Sequence, residues 1–107
     1  MAKIPAQYRR MRERNEEYME CVEALGKTAA AAGPLDEKTR QLVQLAAAAA
    51  LRSEGGVHSH SRRALAAGAT PEEIRHTLLI LTSTMGFPAV VAATTWADDV
   101  LAEQHGE

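Results

Sequence analysis

Glycine and proline residues divide this sequence into segments, and each segment has the periodicity of an α-helix. The interruptions are Gly33-Pro34, Gly55-Gly56, Gly68 and Gly86-Phe87-Pro88. Glycine can adopt the left-handed backbone that ends a helix, and proline cannot continue one. No segment alternates apolar and polar residues for long enough to indicate a strand. The sequence therefore predicts an all-α protein, a bundle of about five helices.

The first predicted helix runs from Gln7 to Ala32 and carries an apolar seam at alternating spacings of three and four. Asn15 is the one polar position on this seam, and it could fix the register against a partner helix. The seam either packs on the chain's own core or pairs with a second chain. Its members are Tyr8, Met11, Asn15, Tyr18, Val22, Leu25 and Ala29.

Four further helices follow, and the fourth in the chain is expected to be central and buried because it is apolar nearly all round. Its start is marked by Thr70-Pro71-Glu72-Glu73, a capping box with proline at the first helical position. The predicted ranges are Glu37 to about Ser53, Val57 to Ala67, Pro71 to about Met85, and Ala89 to Glu103.

The composition predicts one domain with a thin core. The chain has 107 residues, of which 46% are hydrophobic but only 4% aromatic. Alanine and leucine must then do most of the packing, and alanine buries little area per residue. Such a chain gains stability by burying more surface in an assembly, so we expect a homo-oligomer.

Charge and cysteine content limit the partners and the compartment. The net charge of −2 argues against nucleic acid or an anionic membrane as the main partner. A single cysteine, Cys21, excludes an intrachain disulfide and fits a reducing cytoplasm. No run of about 18 apolar residues and no signal-peptide core is present. We expect a cytoplasmic protein.

Candidate functional residues concentrate between Ser53 and Leu65, where polar groups lie between two alanine-rich apolar segments. Such a combination is typical of a small-molecule pocket. His60 is the leading candidate for proton transfer, and Glu54 and His58 could orient it. Arg62 and Arg63 could bind a substrate carboxylate, with Ser53 beside them. The other serines, Ser59 and Ser61, are expected to be caps or solvated hydroxyls.

A divalent metal is the one cofactor that these residues would suit, and otherwise no cofactor is expected. On one continuous helix, side chains at i and i+2 project about 200° apart, so His58 and His60 could not bind the same ion. They could converge if His58 lay in a loop before the helix, which Gly55-Gly56 would permit. Glu54, His58 and His60 would then supply a carboxylate and two imidazoles.

The order of these features resembles the carboxymuconolactone decarboxylase and alkylhydroperoxidase D-like (AhpD-like) family. The matching signature is a histidine, then "RRALAAGATPEEI", an apolar helix and a Gly-Phe-Pro-Ala turn. The resemblance covers residues 35–101 and leaves residues 1–34 for packing or assembly. It implies an all-helical fold and a homo-oligomer, a trimer or a hexamer.

The family has two functional branches, and this sequence departs from both. The peroxidase-like branch carries Cys-x-x-Cys-x-x-x-His, which places its cysteines at Ser53 and Gly56 when its histidine is matched to His60. Its glutamate falls at Gln41. Without both sulfurs the thiol–disulfide cycle cannot run, so we expect no such peroxidase activity. The decarboxylase branch instead has carboxylates just before the histidine, and here Glu54 and His58 occupy that interval.

Two functions therefore remain open. One is a small-molecule enzyme that uses His60 for proton transfer on a carboxylate or lactone substrate, as the resemblance to the decarboxylases implies. The other is a non-catalytic or metal-binding relative that keeps only the oligomeric helical scaffold.

Overall fold

The computed structural model describes residues 4–104, which form α-helices and no strand. The prediction of an all-α fold is confirmed, although the described residues form seven helices where about five were predicted. The helices are α1 (Ala6–Arg14), α2 (Glu16–Ala31), α3 (Glu37–Ala50), α4 (Glu54–Ala66), α5 (Pro71–Leu79), α6 (Thr82–Met85) and α7 (Phe87–Gln104). They group into two units, one made of the described residues up to Asp36 and one of those from Glu37 onward.

The N-terminal unit is a pair of helices rather than the single helix predicted from Gln7 to Ala32. Asn15 has a non-helical backbone (φ −136°, ψ 61°), and its N–H ends α1 by donating to the carbonyl of Met11 at 2.8 Å. Asn15 is therefore the joint between two helices, and the prediction that it belongs to a continuous seam is wrong.

Glu23 on α2 holds the two helices of this unit together. Its carboxylate accepts hydrogen bonds from the Tyr8 hydroxyl and the Arg12 guanidinium, both on α1. The predicted seam is only partly buried. Tyr18, Val22 and Leu25 are exposed, and Met19 is the buried residue of α2.

The core of the second unit is built from α3, α4, α5 and α7, and alanine supplies six of its eleven buried members. Small side chains allow the helix axes to approach closely, which is how a chain poor in aromatic residues fills its interior. The members are Leu45, Ala48, Ala49, Val57, Ala64, Ala69, Ile74, Leu78, Ala93, Ala97 and Leu101. Trp96 packs against this core while partly exposed.

The turn between α3 and α4 lies earlier than the sequence indicated. Arg52 makes the turn with a left-handed backbone (φ 56°), and Ser53 caps α4 by accepting from the N–H of Gly56 at 3.0 Å. Gly55 and Gly56 consequently lie inside the first turn of α4. The prediction that they interrupt the helices is wrong, because Ser53 is an effective N-cap and the helix begins directly after it.

The predicted start of α5 is confirmed and its predicted end is not. Thr70 and Glu73 form both hydrogen bonds of the capping box, at 3.0 and 2.9 Å. The helix ends at Leu79 instead of Met85, and Leu79 and Ile80 are exposed. Only Ile74 and Leu78 of α5 are buried, so the expectation of a central helix buried on all sides is wrong. The apolar residues on every face of this segment predicted that the chain itself would bury it. The structure instead leaves the face with Leu79 and Ile80 uncovered.

Among helices α1 to α7, none combines the length and the apolar character that a membrane span requires.

Candidate functional site

His60 lies in the middle of α4 and its imidazole contacts Gln41 on α3. The Nδ1 atom is 2.9 Å from Oε1 of Gln41, and the side chain is half-buried. An amide oxygen only accepts hydrogen bonds, so Nδ1 must carry the proton. The other ring nitrogen, Nε2, then carries the lone pair. This contact selects the tautomer in which Nε2 can accept a proton or bind an electrophile.

The surroundings of His60 favour its neutral form. The pKa of His60 is lowered, first by burial and second by the nearby positive charge of Arg63. Burial disfavours imidazolium because the charged ring loses water, and a like charge adds to that effect. At neutral pH His60 is therefore present as the imidazole, the form that acts as a base.

His58 points to a different neighbour. Its Nε2 lies 3.0 Å from Oδ2 of Asp99 on α7. One ligand atom each from Glu54, His58 and Asp99 lie within 4.8 Å of one another. The ligand set predicted from the sequence joined Glu54 and His58 to His60, but the structure joins them to Asp99. Both histidines lie on one continuous helix, so their side chains project in different directions.

Two of the three predicted substrate-binding residues have structural partners. Arg62 donates to the carboxylate of Glu103 on α7, with a shortest distance of 2.9 Å. Ser53 is the N-cap of α4, as described above. Arg63 is exposed in the last turn of α4, close enough to His60 to affect its pKa.

Ser61 was expected to be a cap or a solvated hydroxyl, and it is neither. It is completely buried, and its Oγ has no hydrogen-bond partner in the described part of the chain. It lies one turn after Val57 on α4, on the face that carries that residue and Ala64 into the core. A buried hydroxyl without a partner costs free energy, so this position is a local source of instability.

Residues 16–99 match the sequence profile described as the carboxymuconolactone decarboxylase family. The chain belongs to this family. The structure is also similar to the apo crystal structure of a carboxymuconolactone decarboxylase family protein from Legionella pneumophila. The TM-score is 0.77 at 29% identity, covering 88% of this chain and 84% of that one. A search of curated proteins found no match.

Within the carboxymuconolactone decarboxylase family, this chain has structural residues at the positions where the peroxidase-like branch carries cysteines. Ser53 caps α4, and Gly56 lies against Ala48 of α3, where an added Cβ would be 2.8 Å from the Ala48 Cβ. That separation is too short for two carbon atoms, so a cysteine at residue 56 would force α3 and α4 apart. The lone thiol, Cys21, lies on α2 and is exposed.

Sequence reasoning missed the residues of α3 and α7 that contact the polar stretch. Asp99 and Glu103 had no assigned role, and Gln41 entered only as the position of a missing glutamate. The available signal was their placement as polar residues on helices otherwise rich in alanine. Their partners lie 19 to 41 positions away in the sequence, so only the packing of the helices identifies the pairs.

Proposed function

We propose that the protein is a small-molecule enzyme in which His60 transfers a proton on a carboxylate or lactone substrate. The observation that carries the proposal is the 2.9 Å contact between Nδ1 of His60 and Oε1 of Gln41. It engages Nδ1 and leaves Nε2 as the basic nitrogen, and the lowered pKa favours the unprotonated form of that nitrogen at neutral pH. A neutral imidazole with one nitrogen left to accept a proton is the form of histidine that acts as a general base.

Gln41 acts as a positioning residue in this proposal. Where the peroxidase-like branch has a carboxylate, the amide carries no charge and does not stabilise imidazolium. It therefore holds the ring while leaving the neutral form favoured. Arg63 would supply the attraction for a substrate carboxylate, since guanidinium binds carboxylates in a planar, two-point arrangement.

Family membership supports the proposed substrate class. The decarboxylases of the family act on a lactone that bears a carboxylate, and this chain lacks the cysteine pair of the peroxidase-like branch. We therefore propose a reaction that needs proton transfer and no thiol. The single cysteine also fits a cytoplasmic location.

The test is turnover of carboxymuconolactone and related lactone carboxylates, followed by proton NMR. We expect His60→Gln to lower kcat at least about a hundredfold, the usual contribution of a general acid or base. His76→Gln, at an exposed position of α5, is the matched control and should retain the wild-type rate. Gln41→Leu should lower kcat more than it raises KM and shift the pH profile.

Full activity in His60→Gln would overturn the assignment of the base, and absence of turnover across the panel would overturn the substrate class. Peroxide reduction that depends on a dithiol and on Cys21 would overturn the proposal that no thiol takes part.

A further inference from the structure

We propose that Glu54, His58 and Asp99 form a binding site for a divalent cation of the zinc class at the junction of α4 and α7. This site is separate from His60 and does not depend on the function proposed for that residue. It consists of one imidazole nitrogen and two carboxylates, each from a side chain that reaches the same point on the surface.

The geometry needs only small side-chain movements to hold an ion. Glu54 and His58 are four residues apart on α4, so their side chains lie on the same face one turn from each other. Asp99 comes from α7, and its Oδ2 is 3.0 Å from Nε2 of His58. Ligand atoms at about 2.0–2.1 Å from a tetrahedral zinc ion are roughly 3.3 Å apart. The three ligand atoms here already lie within 4.8 Å of one another.

The local charges favour a cation. The two carboxylates carry two negative charges, whereas the N-terminus of α4 contributes only about half a positive charge. Arg62, one turn after His58 on α4, is paired with Glu103 at 2.9 Å. The cluster therefore has a net negative potential that a divalent ion would balance.

The type of ligand indicates the type of metal. A site with one imidazole and two carboxylates suits zinc, cobalt or nickel better than calcium, which prefers six or more oxygen ligands. Glu54 and Asp99 are exposed, so the remaining coordination positions are open to water. An ion at this position would join α4 to α7, and we therefore expect it to stabilise the second unit.

The test is calorimetric titration of EDTA-treated protein with zinc chloride, in a Cys21→Ser background because an exposed thiol also binds zinc. We expect one zinc ion per chain. Asp99→Asn and His58→Gln should each weaken binding at least about tenfold. Asp98→Asn is the matched control, since Asp98 is the adjacent aspartate and pairs with Arg75 instead. His76→Gln is the control for loss of an imidazole.

Thermal unfolding provides a second readout that does not depend on activity. Zinc should raise the unfolding midpoint of the background protein and of Asp98→Asn by several degrees, and should leave Asp99→Asn unchanged. Circular dichroism of each variant without metal confirms that it is folded. Absence of zinc binding would overturn the site, as would equal binding by Asp98→Asn and Asp99→Asn. Tighter binding of calcium than of zinc would overturn the assigned class of metal.

Discussion

A Cβ atom added to Gly56 would lie 2.8 Å from the Cβ of Ala48. This relationship sets how closely α3 and α4 approach each other, and it explains why the first turn of α4 contains glycine. The two helices carry Gln41 and His60, so the same close approach positions the candidate base.

Gly56→Ala should lower the free energy of unfolding by about 1–3 kcal/mol, because the added methyl group would lie too close to the Cβ of Ala48 and also to the Oγ of Ser53, at 2.9 Å. The matched control is Gly55→Ala, one residue earlier on α4, where an added Cβ would meet nothing within 4 Å. That variant should be neutral or more stable by up to about 1 kcal/mol, since alanine is the better helix former. Urea unfolding measures both. Equal effects of the two substitutions would contradict the packing explanation.

This contact also shows what the sequence could and could not predict. Local signals identified the helical class, the capping box at Thr70 and Glu73, and the turn at Gly68, because each depends on neighbouring residues. The role of Gly56 depends on Ala48, which lies on another helix. The two glycines therefore suggested a break, whereas the structure uses one of them for close packing.

For the candidate site too, the sequence predicted the residues but not their partners on other helices. The sequence selected His60, His58 and Glu54 from their residue types and close spacing. It could not indicate that His60 contacts Gln41 or that His58 contacts Asp99, because those pairs form only when α3 and α7 pack against α4. The predicted association of Glu54 and His58 with His60 required a loop, and the continuous helix excludes it.

Stability should depend on pH through His60. The pKa of His60 is lowered in the folded protein, and in the unfolded chain it is about 6.5. As the pH falls below that value, the unfolded chain binds the proton first, so the free energy of unfolding decreases. The comparison is urea unfolding at pH 7.5 and pH 5.5 for the wild type and His60→Gln. The variant should lose less stability on acidification, and His76→Gln should behave as the wild type. An equal loss in all three proteins would contradict this role of His60.

Ser61→Ala should stabilise the protein, because it removes a buried hydroxyl that has no partner among the described residues. Ser59→Ala, on the same helix but only half-buried, gains the same helix propensity and serves as the control. We expect Ser61→Ala to exceed the control by about 1 kcal/mol in thermal or urea unfolding. A loss of stability would instead indicate that the Ser61 hydroxyl has a partner in solution.

We expect the protein to assemble into a trimer or a hexamer. Several large apolar side chains are exposed, including Leu79, Ile80 and Phe87, which are 56%, 61% and 67% accessible. Burying them between copies would supply apolar area that the alanine-rich core lacks. Light scattering at micromolar concentration should show the assembly, and the double substitution Leu79→Glu/Ile80→Glu should dissociate it. His76→Glu, on the same helix, is the control. A folded wild-type monomer at that concentration would contradict the expectation.

The ion pairs of α7 have a further consequence for the position of this helix along its own axis. Its buried residues include the small Ala93 and Ala97, which would resist sliding only weakly, and the larger Val90, Val100 and Leu101. Three acidic residues of the same helix contact three separate side chains on other helices: Asp98 contacts Arg75, Asp99 contacts His58, and Glu103 contacts Arg62. Each exposed pair contributes little stability alone. A shift of α7 by one turn would break all three pairs together, so these pairs reinforce the alignment that the buried side chains of α7 set.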